Sequence, residues 1–347
     1  MADPLNVLSL IPLPTEVRHQ IETTDESMTL TMAPGWFDGE IRQTWGDYVA
    51  QSYLRPDSTG QGTRADRDAL LQTADVIIGG FPVPVDLCAR SPRLRWFHQT
   101  PAGASNLRGC DLWGSDVMVT TSRGLGNTLA IAEYVVASFL HFARDLHRAE
   151  HDRHYGTLRR FDYQPRLLAG QTVCVIGAGG IGQEVGRLCS ALGMRVVGTR
   201  RTASPIEGFS QVTGPGGLHD LLAQSHFVAV CCQATPETEG LIDAGVLAAM
   251  AEGTVLVNVA RGEVIDERAL IDGLDRLRGV ALDVYVGEFD GPPPAALWQH
   301  PRVLITPHTS AGAETRSSRP IDLFCRNLAA FLGGHPLENA IEWARGY

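Results

Sequence analysis

The sequence predicts an α/β protein of two domains, the second built on a doubly wound parallel sheet. Three observations predict it. The length of 347 residues suits two domains at about 150 residues each. Short, nearly continuous apolar runs alternate with helical segments along the chain. One of those runs leads straight into a glycine-rich turn and a helix, over residues 172–192. Composition sets the bounds. Hydrophobic residues at 44% and charged residues at 20% fit a folded chain and exclude a disordered one. A formal charge of −10 argues against nucleic acid or an anionic membrane as partner, and no run reaches the roughly 18 apolar residues of a membrane span. Seven cysteines with no CxxC pair argue against a disulfide framework or a structural zinc site, so no metal is expected. A reducing cytoplasm is the expected compartment.

The first domain is read from five runs: VLSLI (7–11), MTLTM (28–32), DVIIGG (75–80), LRWFHQT (94–100) and VMVTT (117–121). The apolar start lacks a basic n-region and a cleavage site, and reads as a strand. Trp36, Trp45 and Tyr53 are candidates for a substrate mouth or for core packing. Residues 127–147 contain neither Gly nor Pro and are largely apolar, predicting one buried helix of about 20 residues between domains or subunits. Asn127 is its expected N-cap. Six strands follow, at 172–177, 195–199, 227–232, 254–259, 279–284 and 302–306, with helices at 181–192, 243–252 and 266–275. Their unbroken apolarity predicts burial on both sheet faces. A last helix over 313–332, with Ile321, Phe324, Leu328 and Phe331 at helical spacing, returns the chain to the first domain.

Residues 177–182 read GAGGIG. In a strand–turn–helix setting Gly177 allows the tight turn, Gly179 lets the backbone approach a pyrophosphate, and Gly182 lets helix pack on strand. The helix start at Gly180 and Ile181 offers N–H donors to phosphate. This is the fingerprint of a Rossmann dinucleotide site. The next strand ends in Thr199-Arg200-Arg201. A carboxylate at this place accepts bonds from the 2′-hydroxyl of NAD, whereas two arginines suit a 2′-phosphate. NADP(H) is therefore preferred, with NAD(H) possible. Downstream, three strands each end in polar residues: Arg261 after TVLVNV, Asp283 and Glu288 after GVAL, and His308 after RVLIT. Ligands in open α/β sheets bind at the carboxyl ends of strands, so these groups are candidates for one cleft.

Together GAGGIG (177–182), ATPETEGLI (234–242), VNVARGEVIDE (257–267), LDV with Glu288, and PHTSAGAETR (307–316) resemble the D-isomer-specific 2-hydroxyacid dehydrogenase family. The likeness is strongest to its NADPH-linked glyoxylate and hydroxypyruvate reductases. It implies Arg261, Glu288 and His308 as catalytic trio. It puts Cys232, Gln233, Thr238, Val259, Ala260, Asp283 and His308 along the cofactor, beside the glycine turn and Thr199 to Arg201. It assigns the substrate carboxylate to the backbone of the loop holding Thr100, Pro101, Ala102 and Gly103, and counts Arg261 and His308 among the substrate-binding residues. It also implies a discontinuous flavodoxin-like substrate domain (1–122 and 315–347), a Rossmann domain inserted over 123–314, and a homodimer. The chain departs from the family pattern at four places. Arg200 replaces an Asp, Gln233 a Pro, Pro101 a Gly and Ser105 an Asp.

The expected reaction is reduction of a small 2-keto acid. Arg261 orients the substrate and stabilises charge on the ketone oxygen. His308 gives the proton, and Glu288 on the other ring nitrogen fixes its tautomer and favours the charged imidazole. Two other classes stand beside it: a dinucleotide-sensing corepressor or scaffold, and a dehydrogenase for another substrate such as phosphite or formate. His147, His151 and His154 have helical spacing and read as a solvated basic face more than a metal site.

Overall fold

The computed structural model describes residues 4–25, 28–314 and 318–345. The chain divides into two compact units, Met1–Gly126 with Ser317–Tyr347, and Asn127–Arg316. Thr315 and Arg316 of the PHTSAGAETR segment lie outside the described residues.

The first unit holds β1 (Leu5–Ser9), β2 (Met28–Met32), β3 (Val76–Gly79), β4 (Trp96–Gln99) and β5 (Met118–Thr121), in the order β2-β1-β3-β4-β5. Every pairing is parallel, and the order is the flavodoxin-like one. All five apolar runs became strands. Strands β3 and β4 are buried throughout, which is why their sequences read as continuous apolar runs. The helix Arg319–Leu332 buries Leu323, Phe324 and Leu328, and Phe324 stacks on Trp96 at 5.1 Å. It begins later than the expected residue 313. Pro320 stands in its first turn, where a missing N–H costs nothing. Trp45 donates to the Val83 carbonyl at 2.7 Å and meets Phe81 edge-on, as does Tyr53. With Trp36 flanking the same core, these aromatics are packing residues.

A buried carboxylate ties this unit together. Glu40 is 7% exposed and receives Arg67 Nε at 2.5 Å and Arg90 Nη1 at 2.7 Å. Burial pushes its carboxyl up, but the hydrogen bonds from Arg90 and Arg67 outweigh that and hold it below the ordinary range.

The second unit holds β6 (Thr172–Ile176), β7 (Arg195–Thr199), β8 (Gln211–Thr213), β9 (Phe227–Val230), β10 (Val255–Asn258), β11 (Gly279–Leu282) and β12 (Val303–Ile305). Their order is β12-β11-β10-β9-β6-β7-β8. Counted from β6, this is the doubly wound Rossmann order extended by one strand. The six expected strands are present. Strand β8 was not anticipated, because it is a three-residue edge strand with an exposed Gln.

The long helix expected over 127–147 is two helices, Thr128–Ala143 and Leu146–Tyr155. Between them Asp145 adopts a left-handed backbone, φ 57°. Its carboxylate is held by Arg278 Nη2 at 2.6 Å and by the Gln164 N–H at 2.6 Å. These two distant bonds fix a break that no Gly or Pro announces. Asn127 does not cap the first helix with its side chain. Its amide donates instead to the Ala311 carbonyl at 3.0 Å. That helix buries Val135, Phe139 and Phe142 in a core with Val173, Val185 and Phe227. Of the three histidines, His151 and His154 are exposed, while His147 packs on Phe142 at 5.2 Å. Among the described residues no group of three or more His, Cys, Asp or Glu is placed to hold a metal ion. No described helix is long and apolar enough to cross a membrane.

Candidate active site

Strand β6 ends at Ile176, and the chain must turn sharply to enter the helix Gly180–Ala191. Gly177 makes that turn at φ +93°. A Cβ there would lie 2.5 Å from the Cys232 backbone, and a Cβ at Gly182 would lie 2.3 Å from the Gly177 carbonyl. Both glycines are thus required by close packing, as the fingerprint demands. Gly179 differs: a Cβ there would meet nothing within 4 Å. The turn opens at that residue onto free space at the helix start, which fits the pyrophosphate of a dinucleotide.

Around the turn, the Gly177 and Ala178 N–H groups donate to the carbonyl of buried Thr199. This ties the end of β7 to the turn, so Thr199 acts through its backbone. Arg200 Nη1 donates to Ser204 Oγ at 3.0 Å, and Arg201 is exposed. On the neighbouring segment Thr238 Oγ1 donates to the Gln233 carbonyl at 2.6 Å and accepts from Thr235 N–H at 2.8 Å. Gln233 Oε1 is buried with no protein donor. Open space at Gly179 and a buried amide oxygen at Gln233 without a protein donor both suit a polar ligand such as a dinucleotide.

The chemical groups ride on β10, β11 and β12, which are neighbours in the sheet. All run parallel, so their carboxyl ends share one edge. Val259 and Ala260 are buried after β10. Asn258 braces the turn that follows: Oδ1 accepts the Ala260 N–H at 3.0 Å and Nδ2 donates to the Arg261 carbonyl at 2.9 Å. Arg261 Nη1 donates to the Ala260 carbonyl at 2.6 Å. A Cβ on the next residue, Gly262, would lie 2.1 Å from the Tyr285 carbonyl carbon. The Arg261 turn therefore abuts the segment that leads to Glu288.

His308 and Glu288 meet. Nδ1 lies 3.2 Å from Glu288 Oε2, with the carboxylate 8% and the imidazole 27% exposed. The two atoms stand at ion-pair distance without hydrogen-bond alignment. His308 has a left-handed backbone, φ +54°, a region a non-glycine residue keeps only when its surroundings dictate it. Asp283 dictates it. The Asp283 side chain is almost wholly buried. Its Oδ1 accepts Thr306 Oγ1–H at 2.7 Å and Thr309 N–H at 2.8 Å, and Oδ2 accepts Ser310 N–H at 3.0 Å. Its carbonyl takes the His308 N–H at 3.0 Å. Sequence reading placed Asp283 beside the cofactor. In the structure its carboxylate braces the His308 loop.

The loop of Thr100, Pro101, Ala102 and Gly103 belongs to the first unit. Gln99 and Asn106, both buried, exchange amide hydrogen bonds at 3.2 Å, and Gln99 Nε2 also donates to the Gly103 carbonyl. Thr100 N–H donates to the Gly79 carbonyl at 3.0 Å. Ser105 opens the 3-10 turn Ser105–Gly109. Sequence reading missed the Gln99–Asn106 clasp, although the two residues lie on either side of the assigned residues 100–103.

Comparison with known proteins agrees with this architecture. Residues 136–310 match the model of "D-isomer specific 2-hydroxyacid dehydrogenase, NAD binding domain". A D-3-phosphoglycerate dehydrogenase from Mycobacterium tuberculosis is 30% identical over 297 residues, 81% of this chain and 54% of the relative. The chain thus spans about half the length of the curated relatives it matches. A D-isomer specific 2-hydroxyacid dehydrogenase from Xanthobacter autotrophicus Py2, solved with NADPH and MES, superposes with a TM-score of 0.74 at 27% identity, covering 100% of both chains. An NADPH-dependent glyoxylate/hydroxypyruvate reductase from Sinorhizobium meliloti shares the fold at TM-score 0.73 and 24% identity, covering 99% of this chain and all of that one. Matching strand order, glycine turn and family model have one meaning: the chain belongs to the D-isomer specific 2-hydroxyacid dehydrogenase family, and its second unit carries that family's NAD-binding domain.

Proposed function

We propose that the protein is an NADP(H)-dependent reductase of small 2-keto acids, glyoxylate and hydroxypyruvate foremost, yielding the 2-hydroxy acids, of D configuration where C2 is a stereocentre. The observation that carries this reading is the His308–Glu288 pair, 3.2 Å apart, at the strand edge where a dinucleotide fingerprint also opens. Asn127–Arg316 serves as the cofactor unit and the other unit selects the keto acid.

Gly177, Gly179, Gly180, Ile181 and Gly182 would hold the pyrophosphate, Arg200 and Arg201 the 2′-phosphate, and Cys232 to Thr238 with Val259 and Ala260 the remainder. When bound, the reduced nicotinamide supplies hydride for C2 of the substrate. Arg261 binds the substrate carboxylate and ketone oxygen, orienting the carbonyl and stabilising its developing charge. His308 Nδ1 faces Glu288, so Nε2 is left to give its proton to the forming alkoxide. Glu288, buried beside that ring, sets its orientation and tautomer. In the first unit, the backbone of residues 100–103, shaped by the Gln99–Asn106 clasp, is the candidate for carboxylate binding.

A panel of keto acids with NADPH and NADH, followed by loss of nicotinamide absorbance, tests the reading. It includes the phosphorylated keto acid that corresponds to the relatives' 3-phosphoglycerate. Turnover of glyoxylate or hydroxypyruvate with NADPH is expected. Tight dinucleotide binding with no turnover of any keto acid would favour a sensor or scaffold. For the cofactor, replacing Arg200 and Arg201 by Ala is expected to weaken NADPH binding by roughly 10- to 100-fold. NADH binding should change less than about threefold, since it lacks the phosphate these side chains address. Fluorescence titration reads both, and an equal loss for the two cofactors would contradict the assignment.

The protein is further proposed to be a homodimer joined along the second unit. Leu129, Leu140, Leu146, Leu158, Phe161 and Leu167 all leave large apolar surfaces exposed, Phe161 at 94% and Leu158 at 84%. Exposed apolar side chains gathered in one stretch of chain support an interface. Sedimentation equilibrium should give a dimer for the wild type and a monomer for Leu158→Asp/Phe161→Asp. A monomeric wild type, or a dimeric variant, would refute this interface.

A further inference from the structure

We infer that Tyr134 is a positioning residue for His308, acting through Thr306 and Asp283. The inference rests on the proposed role of His308 as proton donor. All four residues lie in one unit, Asn127–Arg316. The segment from Thr306 to Ser310 carries His308 in a left-handed conformation that non-glycine residues seldom adopt. A single carboxylate braces the segment on both sides of His308. Asp283 accepts three hydrogen bonds from the segment, two of them at Oδ1.

One of the three comes from the Thr306 hydroxyl, which has one proton and several places to send it. Thr306 Oγ1 lies 2.7 Å from Asp283 Oδ1 and 2.8 Å from Tyr134 Oη. The carboxylate is the stronger acceptor and takes the proton. Tyr134 must then be the donor to Thr306, filling the lone pair on the other side. Burial pushes the Tyr134 hydroxyl up to about 12, so it keeps its proton at any pH near neutrality. The phenol stands on the helix Thr128–Ala143, whose Phe139 and Phe142 are anchored in the core. A rigid helix thereby holds the rotamer of Thr306, Thr306 holds one oxygen of Asp283, and Asp283 holds the His308 loop. Such chains polarise each member and resist rearrangement more than isolated bonds do.

Tyr134→Phe removes one oxygen and keeps the ring. It is expected to lower kcat by roughly three- to tenfold, the range of one lost hydrogen bond, with KM for the keto acid and Kd for NADPH within about twofold. Amide hydrogen exchange supplies a readout free of activity. The Thr309 and Ser310 amides should exchange faster by the same roughly three- to tenfold factor, with Gly177–Gly182 unchanged. Thr306→Val should reproduce both effects and Thr306→Ser should restore both, since Ser keeps the hydroxyl. Unchanged exchange at Thr309 and Ser310 in Tyr134→Phe and Thr306→Val would overturn the inference, whatever the kinetics. A wild type that turns over no keto acid would refute the proposed function separately, and the exchange experiment would still decide whether the brace exists.

Discussion

His308→Gln is expected to lower kcat for keto-acid reduction by roughly 10²–10⁴-fold, the range for a lost general acid. KM should move little, because Arg261 is assigned the carboxylate. A change confined to kcat marks an interaction made only in the transition state. His308→Asn is the backbone control. Asn tolerates the left-handed conformation of this position better than most residues, so a folding defect in the Gln variant would not recur. Steady-state kinetics reads both parameters, and wild-type turnover in both variants would remove His308 from the mechanism.

Glu40→Ala should destabilise the first unit by about 3–5 kcal/mol, the usual cost of stripping one partner from a buried ion pair. The variant leaves Arg67 without its only short ion pair among the described residues, and leaves Arg90, whose side chain is 8% exposed, with Asp68 at 2.7 Å and Asp86 at 3.3 Å but without Glu40. Arg64 at 3.6 Å is half exposed and adds little. A shift of that size is on the order of 10 °C in Tm for a unit of this length. The pH dependence has a definite sign. The folded-state pKa of Glu40 lies below its ordinary value, so its contribution is present above that ordinary value and lost as pH falls through the lower one. Acid should therefore erode the wild type through this carboxylate, and the variant should lack that part of the slope. Urea unfolding at several pH values measures both, and a cost under about 1 kcal/mol would show that solvent already screens the pair.

What was legible in the sequence follows from where the information resides. Strands β6, β9, β10 and β11 are buried on both faces, so each appears as an unbroken apolar run. The glycines at 177 and 182 are forced by backbone contacts, and their spacing records those contacts. The ends of β10, β11 and β12 announce Arg261, Glu288 and His308, because a polar residue following an apolar strand stands out. Features set by distant partners were illegible. Nothing near Asp145 foretells that Arg278, 133 residues away, will hold it in a left-handed break. Glu40 reads as a surface charge until Arg67 and Arg90 fold over it. Tyr134 and Thr306 lie 172 residues apart, and each alone resembles an ordinary core-flanking residue. Strand β8 escaped because an edge strand with an exposed Gln shows no apolar run.

The central claim is that this chain moves hydride from NADPH to C2 of a keto acid while His308 supplies the proton. Isotope transfer tests it most directly. Single-turnover reaction of glyoxylate or hydroxypyruvate with NADPH deuterated at nicotinamide C4, in ordinary water, is predicted to give hydroxy acid with deuterium at C2, and His308→Gln to give far less in the same time. Cofactor that stays reduced beside unlabelled keto acid, with the wild-type protein saturated by both, would contradict the account.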